Sequence, residues 1–564
     1  RLRCLPHSLP FTHRAHVSPA SLPFQRSLLK PRDWSCRGVA AAVAGLVAVT
    51  PHSSSSTPDS RAPPPGKVEE IGYITDLEGD LKTFERYVNN SKTVLCRDAA
   101  GQLQLRSHAA FVFGGDLFDR GDGDLRLARE LVSLKRRYPD RVFLIMGNRD
   151  INKMRFSAEL DPKELKRGPS NAFEAWWDPK APRFADYLES RKKADTGVNR
   201  LKWMLRYTLG SPQAFEYRRS ELAELQGRTS SDVSDDEVLE SFQRSVRSDG
   251  EVAMYLRHAQ IGVILADTLF VHGAVEERAL GFIPSPRLRY MRNTTEEVVN
   301  LDGTRRGLPL QEWIAGLNAF AAEQVKAWQE SPFWQYGQDG VRRRAGEALM
   351  AYQCRPAMAL HTVVVTCYVD GQNMPARKAI DEDKFEGYQK CSDPLSSKVQ
   401  RYLLDGGVRR VVVGHKPSCS APAVLRTSGL DGLGYEVISA DTNYASKDTD
   451  CFRGGSWCEV QILQRASGDA SCARMHGFLP DSEGKYDFCL KALGMTLSND
   501  EGDAFVGHET TDGKWVRVKL SDGSTERYLL SQGSGRKAQY WKELRANFEV
   551  EPTPPSIMKP RTET

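Results

Sequence analysis

Between residues 71 and 150 the chain three times runs a short apolar stretch into a polar, glycine-containing loop. IGYITDLEGD reads as a strand over 71–75 that delivers Asp76, then a turn and a helix over about 81–88. AAFVFGGDLFDRG repeats the design, with a strand over 110–113 and a helix over about 125–135. RVFLIMGNRD does so a third time, with a strand over 142–146. Such strand–loop–helix units predict an α/β fold whose strands end on one row of loops.

The regularity then breaks. From about 155 to 255, helical patterns at 182–193, 201–209 and 238–246 are separated by Gly, Pro and acidic turns, as expected of a helical insertion. ILADTLFVHGAV returns to strand, and a second helical insertion over about 285–350 includes a helix at 310–328. RRVVVGHKPS and YEVISADTN are further strand-to-loop units. After about residue 452 the pattern is β-rich, with turns at Asp512-Gly513 and Asp522-Gly523 between KWVRVKL and ERYLL. The expected organisation is a leader over 1–67, a main domain over 68–451 and a β-rich C-terminal extension over 452–564.

Charge changes this picture at one end only. The formal net charge is +5, but residues 1–67 hold nine Lys or Arg against two acids, so the rest is near neutral. No long-range field favours a polyanion, and no nucleic-acid partner is expected. The leader has no acid before Asp33, is rich in Arg, Ser and Pro, and contains an apolar run of eleven residues over 39–49. It reads as an organelle transit peptide, for plastid or mitochondrion; the run is too short for a membrane span. Eleven cysteines without a CxxC pair do not suggest a disulfide scaffold, and the late group Cys451, Cys458, Cys472 and Cys489 reads as free thiols.

Five loops that follow apolar strands carry residues able to bind metal: Asp76 with Glu78, Asp116, Asn148, His272 and His415. In an α/β sheet such loops share the edge where ligands bind. Oxygen and imidazole donors in that number suit first-row divalent cations.

The order of these motifs, from GGDLFDRG through GNRD and VHG to VVGH, resembles the calcineurin-like metallophosphoesterases. The form of GGDLFDRG is closest to serine/threonine phosphoprotein phosphatases and symmetrical diadenosine tetraphosphatases. The resemblance covers the strand-end motifs between about 70 and 445, and implies a four-layer α/β/β/α sandwich. It further implies two divalent cations. Asp76 and Glu78 would hold the first, Asp116 would bridge both, and Asn148, His272 and His415 would complete the second. A hydroxide between the two cations would attack the phosphorus. Arg120 would make a forked contact with phosphoryl oxygens, while Asp119 and Asp150 would orient ligands or hold Arg120 and Arg149. Asp441, in ISADTN, matches a position that closes the family's site.

Two residues depart from the family pattern. Glu78 stands where histidine is usual, which favours Mn²⁺ or Mg²⁺ at the first position, with Fe or Zn as alternatives. Arg149 stands where the family has the histidine thought to protonate the leaving oxygen. Guanidinium does not release a proton near neutral pH, so Arg149 is a poor general acid and a good clamp for anionic oxygen. The expected function is hydrolysis of a phosphate monoester or phosphoanhydride in a phosphorylated small molecule, nucleotide or phosphoprotein. The alternative is a catalytically inactive pseudophosphatase acting as a binding protein.

Overall fold

The computed structural model describes residues 68–172, 180–286, 307–338, 342–353, 361–368, 396–418, 420–442, 456–464, 471–480, 484–494, 502–521, 525–532 and 539–550. The leader, Cys451 and the Asp522-Gly523 turn lie outside them.

Two sheets form the centre. The larger has seven strands in the order Lys485–Cys489, Ser471–Phe478, Trp457–Gln464, Glu70–Ile74, Ala109–Phe113, Val142–Ile145 and Ala259–Gln260. Its last four strands run parallel and the others antiparallel. The smaller has five strands: Ala423–Thr427, Tyr435–Ser439, Arg410–Val413, Thr268–Val271 and Gly262–Leu265. Its three central strands are parallel.

Alternation along each strand divides the core into layers. Ile71, Tyr73, Ala110 and Val112 of the first sheet pack with Phe270, Val412 and Ile438 of the second. Tyr73 stacks on Phe270 at a centroid distance of 5.6 Å. The residues between them, Ile74, Phe111, Phe113, Val271, Val411 and Val413, face the helical layers. These include helices Leu81–Asn90, Asp124–Arg137, Glu251–His258 and Leu310–Glu330. Both faces of each central strand are thus buried, which is why their sequences are apolar without a polar alternation. The result is the expected α/β/β/α layering.

The helical expectation between 155 and 255 also stands. Helices Phe184–Ser190, Gly197–Trp203 and Asp235–Ser245 fill it, the last begun by Ser234, whose hydroxyl accepts from the Glu237 backbone N–H.

The β-rich stretch after 452 takes two forms. Its first three strands, between 457 and 489, are not a separate layer but extend the main sheet, with Glu70 opposite Leu463. The remainder forms a three-stranded antiparallel sheet of Trp515–Leu520, Arg527–Gln532 and Gln539–Leu544. Gly513, at φ +81°, supplies the turn before it. Cys458, Cys472 and Cys489 are free thiols. Among the described residues, no helix is long and apolar enough to cross a membrane.

Candidate active site

Six parallel strands deliver the chemistry. Glu70–Ile74, Ala109–Phe113 and Val142–Ile145 end just before Asp76, Asp116 and Asn148. Thr268–Val271, Arg410–Val413 and Tyr435–Ser439 end just before His272, His415 and Asp441. Because each sheet is parallel there, all these loops leave on one side.

The backbone at that edge is strained. Among the described residues seven non-glycine residues have positive φ, and five of them are Asp76, Glu78, Asp116, Asp119 and His415. Such conformations cost about 1–3 kcal/mol each and persist where surrounding structure over-determines them. The loops also approach closely. A Cβ at Gly147 would lie 2.1 Å from Asp116 Oδ1, and Gly115, at φ +97°, would meet His272 Nδ1 at 2.9 Å. Glycine at both places lets the Asp116 and Asn148 loops touch.

Asp116, His272 and His415 bring one donor atom each within 4.8 Å of one another. Asn148 Oδ1 lies between the two imidazoles, 2.8 Å from His415 Nδ1 and 3.3 Å from His272 Nε2. His272 Nδ1 donates to the Gly114 carbonyl at 2.8 Å, so in the neutral ring Nε2 carries a lone pair. That lone pair faces two oxygens, Asn148 Oδ1 and Asp116 Oδ1, the latter also at 3.3 Å. Three acceptors pointing at one another need a proton or a cation between them. Without a cation, a proton on Nε2 would fill that place. Burial alone would lower the His272 pKa, but the Asp116 and Asp76 charges outweigh it and lift it to about 10. Burial would likewise raise the Asp116 carboxyl, yet His272, Arg149 and His415 hold it well below the usual range. The set of two imidazoles, one carboxylate and one amide oxygen fits a first-row divalent cation.

Asp76 sits at the margin of this cluster. Its carboxylate accepts from Thr75 Oγ1 at 2.6 Å and from the His415 backbone N–H at 3.0 Å. Burial and then the nearby Asp441 push its pKa well up, an excess of negative charge that a cation would relieve.

Glu78 behaves differently from the expectation that it faces a cation. Its Oε1 lies 2.7 Å from Arg149 Nε and its Oε2 3.3 Å from Arg120 Nη1. Two guanidinium groups hold this carboxylate, both side chains being largely buried. Arg149 also reaches Asp119 Oδ2 and Ser211 Oγ, each at 3.0 Å. Ser211 belongs to the helical insertion, which thereby helps to fix the arginine.

Asp119 and Asp150, expected to orient their neighbours, both have their carboxylates turned inward. Asp119 pairs with Arg149 and with Lys153 Nζ at 2.7 Å. Asp150 accepts from the backbone N–H of Asp116 at 2.9 Å, Leu117 at 2.8 Å and Gly147 at 2.8 Å. Burial and the Asp116 charge push Asp150 up to about 7. Three converging donors nonetheless call for the ionised form, since a protonated oxygen would set O–H against N–H. Sequence reasoning missed Lys153, whose ammonium is buried between Asp119, the Arg149 carbonyl and Asn152.

Residues 70–207 match the family model of the calcineurin-like phosphoesterases. The matched segment carries Asp76, Glu78, Asp116, Asn148 and Arg149; His272 and His415 lie beyond it. Over that segment the chain is similar to hydrolases that act on phosphoester bonds, a divalent-metal-dependent family. Three solved structures overlap much of the chain. One is a cold-active protein-tyrosine phosphatase of a psychrophilic Shewanella, at 14% identity over 74% of this chain and 80% of that one, TM-score 0.33. Another is a serine/threonine phosphatase from Saccharomyces cerevisiae with similarity to human phosphatase PP5, at 11% over 77% and 82%, TM-score 0.30. The third is a metallophosphoesterase from Sphaerobacter thermophilus, at 10% over 70% and 84%, TM-score 0.22. At TM-scores this low none of the three bears on substrate or site.

Proposed function

We propose that the chain hydrolyses phosphoester or phosphoanhydride bonds with a divalent cation held by Asp116, Asn148, His272 and His415. The observation that carries this reading is the His272 Nε2 lone pair set against Asn148 Oδ1 and Asp116 Oδ1, with His415 completing the ring of donors. A cation bound there supplies Lewis-acid stabilisation of phosphoryl charge and a nucleophile from water near neutral pH. The chain's own residues do the rest. Asp150 fixes the Asp116 and Asn148 loops through their backbone, and Arg120, paired with Glu78, adds positive charge for phosphoryl oxygens.

Glu78, held by two arginines, is left out of this ligand set, and with it the preference for Mn²⁺ or Mg²⁺ that an oxygen ligand there would give. The remaining donors, with two imidazoles, favour Mn²⁺, Fe²⁺ or Zn²⁺ over Mg²⁺. The substrate class is a nucleotide or other phosphoanhydride, or an aryl phosphate, ahead of an alkyl monoester. Arg149 supplies charge and not a proton to the leaving oxygen.

The test is a screen of the metal-stripped, metal-restored chain against nucleotides, diphosphate esters, aryl phosphates and phosphopeptides, with Asp116→Asn alongside. Turnover that returns with metal and is absent in Asp116→Asn supports the reading. Turnover unaffected by stripping, or equal in the variant, overturns it.

A further inference from the structure

Where the family resemblance implies a first cation, the side chains present do not fit one. That position lies among Asp76, Glu78 and Asp116, and a positively charged group already occupies its oxygen-facing side. Arg149 Nε is 2.7 Å from Glu78 Oε1 and 3.6 Å from Asp116 Oδ2, with Nη1 3.0 Å from Asp119 Oδ2. The guanidinium therefore touches or neighbours three carboxylates at once. Arg120 adds a second positive charge on the far oxygen of Glu78.

We propose that Arg149 stands in place of the first cation, so that the chain binds one divalent cation and Asp116 bridges that cation to a guanidinium. The two departures from the family pattern, Glu78 and Arg149, are then a single change. A carboxylate at 78 gives the arginine its anchor, and the arginine neutralises a buried carboxylate that Arg120 meets only at its far oxygen. The division of Asp116 agrees with this. Its Oδ1 faces His272 Nε2 at 3.3 Å while its Oδ2 faces Arg149 Nε.

The arginine is also not free to swing away. Its backbone N–H donates to Asp116 Oδ1 at 2.8 Å, its Nη1 is shared between Asp119 and Ser211, and Lys153 Nζ binds its carbonyl at 2.9 Å. Unlike a cation, a guanidinium cannot be chelated away or change its ligands, and its charge does not titrate near neutral pH. It serves as a fixed positive wall beside the attacked phosphorus.

This inference rests on the metal-dependent reading above, and cation stoichiometry separates the two. The full chain, stripped of metal and then equilibrated with Mn²⁺ alone, is counted by mass spectrometry of the metal and read by electron paramagnetic resonance. The expected result is one Mn²⁺ per chain with the spectrum of an isolated ion. Arg149→Ala, which opens Asp76, Glu78 and Asp116 on that side, should take up a second Mn²⁺ and show exchange coupling. Two coupled ions in the wild type, with phosphoesterase activity, overturn this inference and leave the proposed function standing. No bound ion in the wild type removes both. An Arg149→Ala chain that folds, by its thermal transition, and still holds one ion also overturns it. Should that variant not fold, the wild-type count alone decides.

Discussion

Replacing Asp150 by asparagine removes one carboxylate oxygen from a place where three backbone N–H groups converge. Oδ2 takes Gly147 at 2.8 Å and Asp116 at 2.9 Å, and Oδ1 takes Leu117 at 2.8 Å. The asparagine oxygen can keep at best the pair at Oδ2, leaving an NH₂ against the Leu117 N–H. Losing a hydrogen bond to a charged group costs about 1.5–3 kcal/mol, and the two that remain become neutral bonds, at about 1 kcal/mol less each. Removing a negative charge beside Asp116 returns part of this, since that repulsion helps push Asp150 up to about 7. The net expectation is a loss of about 2–4 kcal/mol in urea unfolding of the metal-free chain. The bonds also tie the Asp116 loop to the Asn148 loop, so the cation should bind about 10–100-fold more weakly, the usual cost of losing a group that orients ligands. Isothermal titration with Mn²⁺ reads that directly. A variant within about 0.5 kcal/mol of wild type and with unchanged affinity would refute the idea that Asp150 holds the two loops together.

Three further outcomes follow from other parts of the molecule. Because Arg149 cannot act as a general acid, worth about 10²–10⁴-fold, rates on aryl phosphates and anhydrides should far exceed those on phosphoserine peptides; equal rates sink that view. Cation binding should release a proton near pH 7, because His272 is lifted to about 10 and must lose its proton to ligate; titration in buffers of different ionisation enthalpy measures it, and no release contradicts the protonated ring. Glu159 is buried between Arg155 and Arg344, at 2.8 and 2.9 Å, and burial, which alone would raise its carboxyl, is outweighed so that it falls to about 2. Its folded pKa lies below its unfolded value, so its contribution is present above about pH 4.5 and is lost as pH falls towards 2. Glu159→Gln should therefore cost about 3 kcal/mol at neutral pH and flatten the acid limb of the stability profile.

Local pattern made much of this legible. The strand expected over 71–75 is Glu70–Ile74, that over 110–113 is Ala109–Phe113, and that over 142–146 is Val142–Ile145. Strands buried on both faces admit few polar residues, so their apolar runs end where the loops begin, and the loop residues could be named. The spatial gathering of Asp116, Asn148, His272 and His415 follows from parallel strands leaving on one side. What local pattern could not show was which charges would meet. Glu78 and Arg149 are far apart in sequence, and each alone looks like an altered metal ligand or an altered proton donor. Their 2.7 Å contact makes them partners. The pairing of Glu70–Ile74 with Trp457–Gln464 was hidden for the same reason, since nothing near residue 457 states that its strand completes a sheet begun at residue 70.

Anomalous diffraction from crystals grown with Mn²⁺, recorded on either side of the manganese absorption edge, tests the central claim most directly. The account predicts a peak about 2 Å from Asp116 Oδ1, Asn148 Oδ1, His272 Nε2 and the His415 ring. It also predicts the Arg149 guanidinium in contact with Glu78 beside that peak. No peak within that ring at saturating Mn²⁺, in a chain that still cleaves phosphoesters, would contradict it.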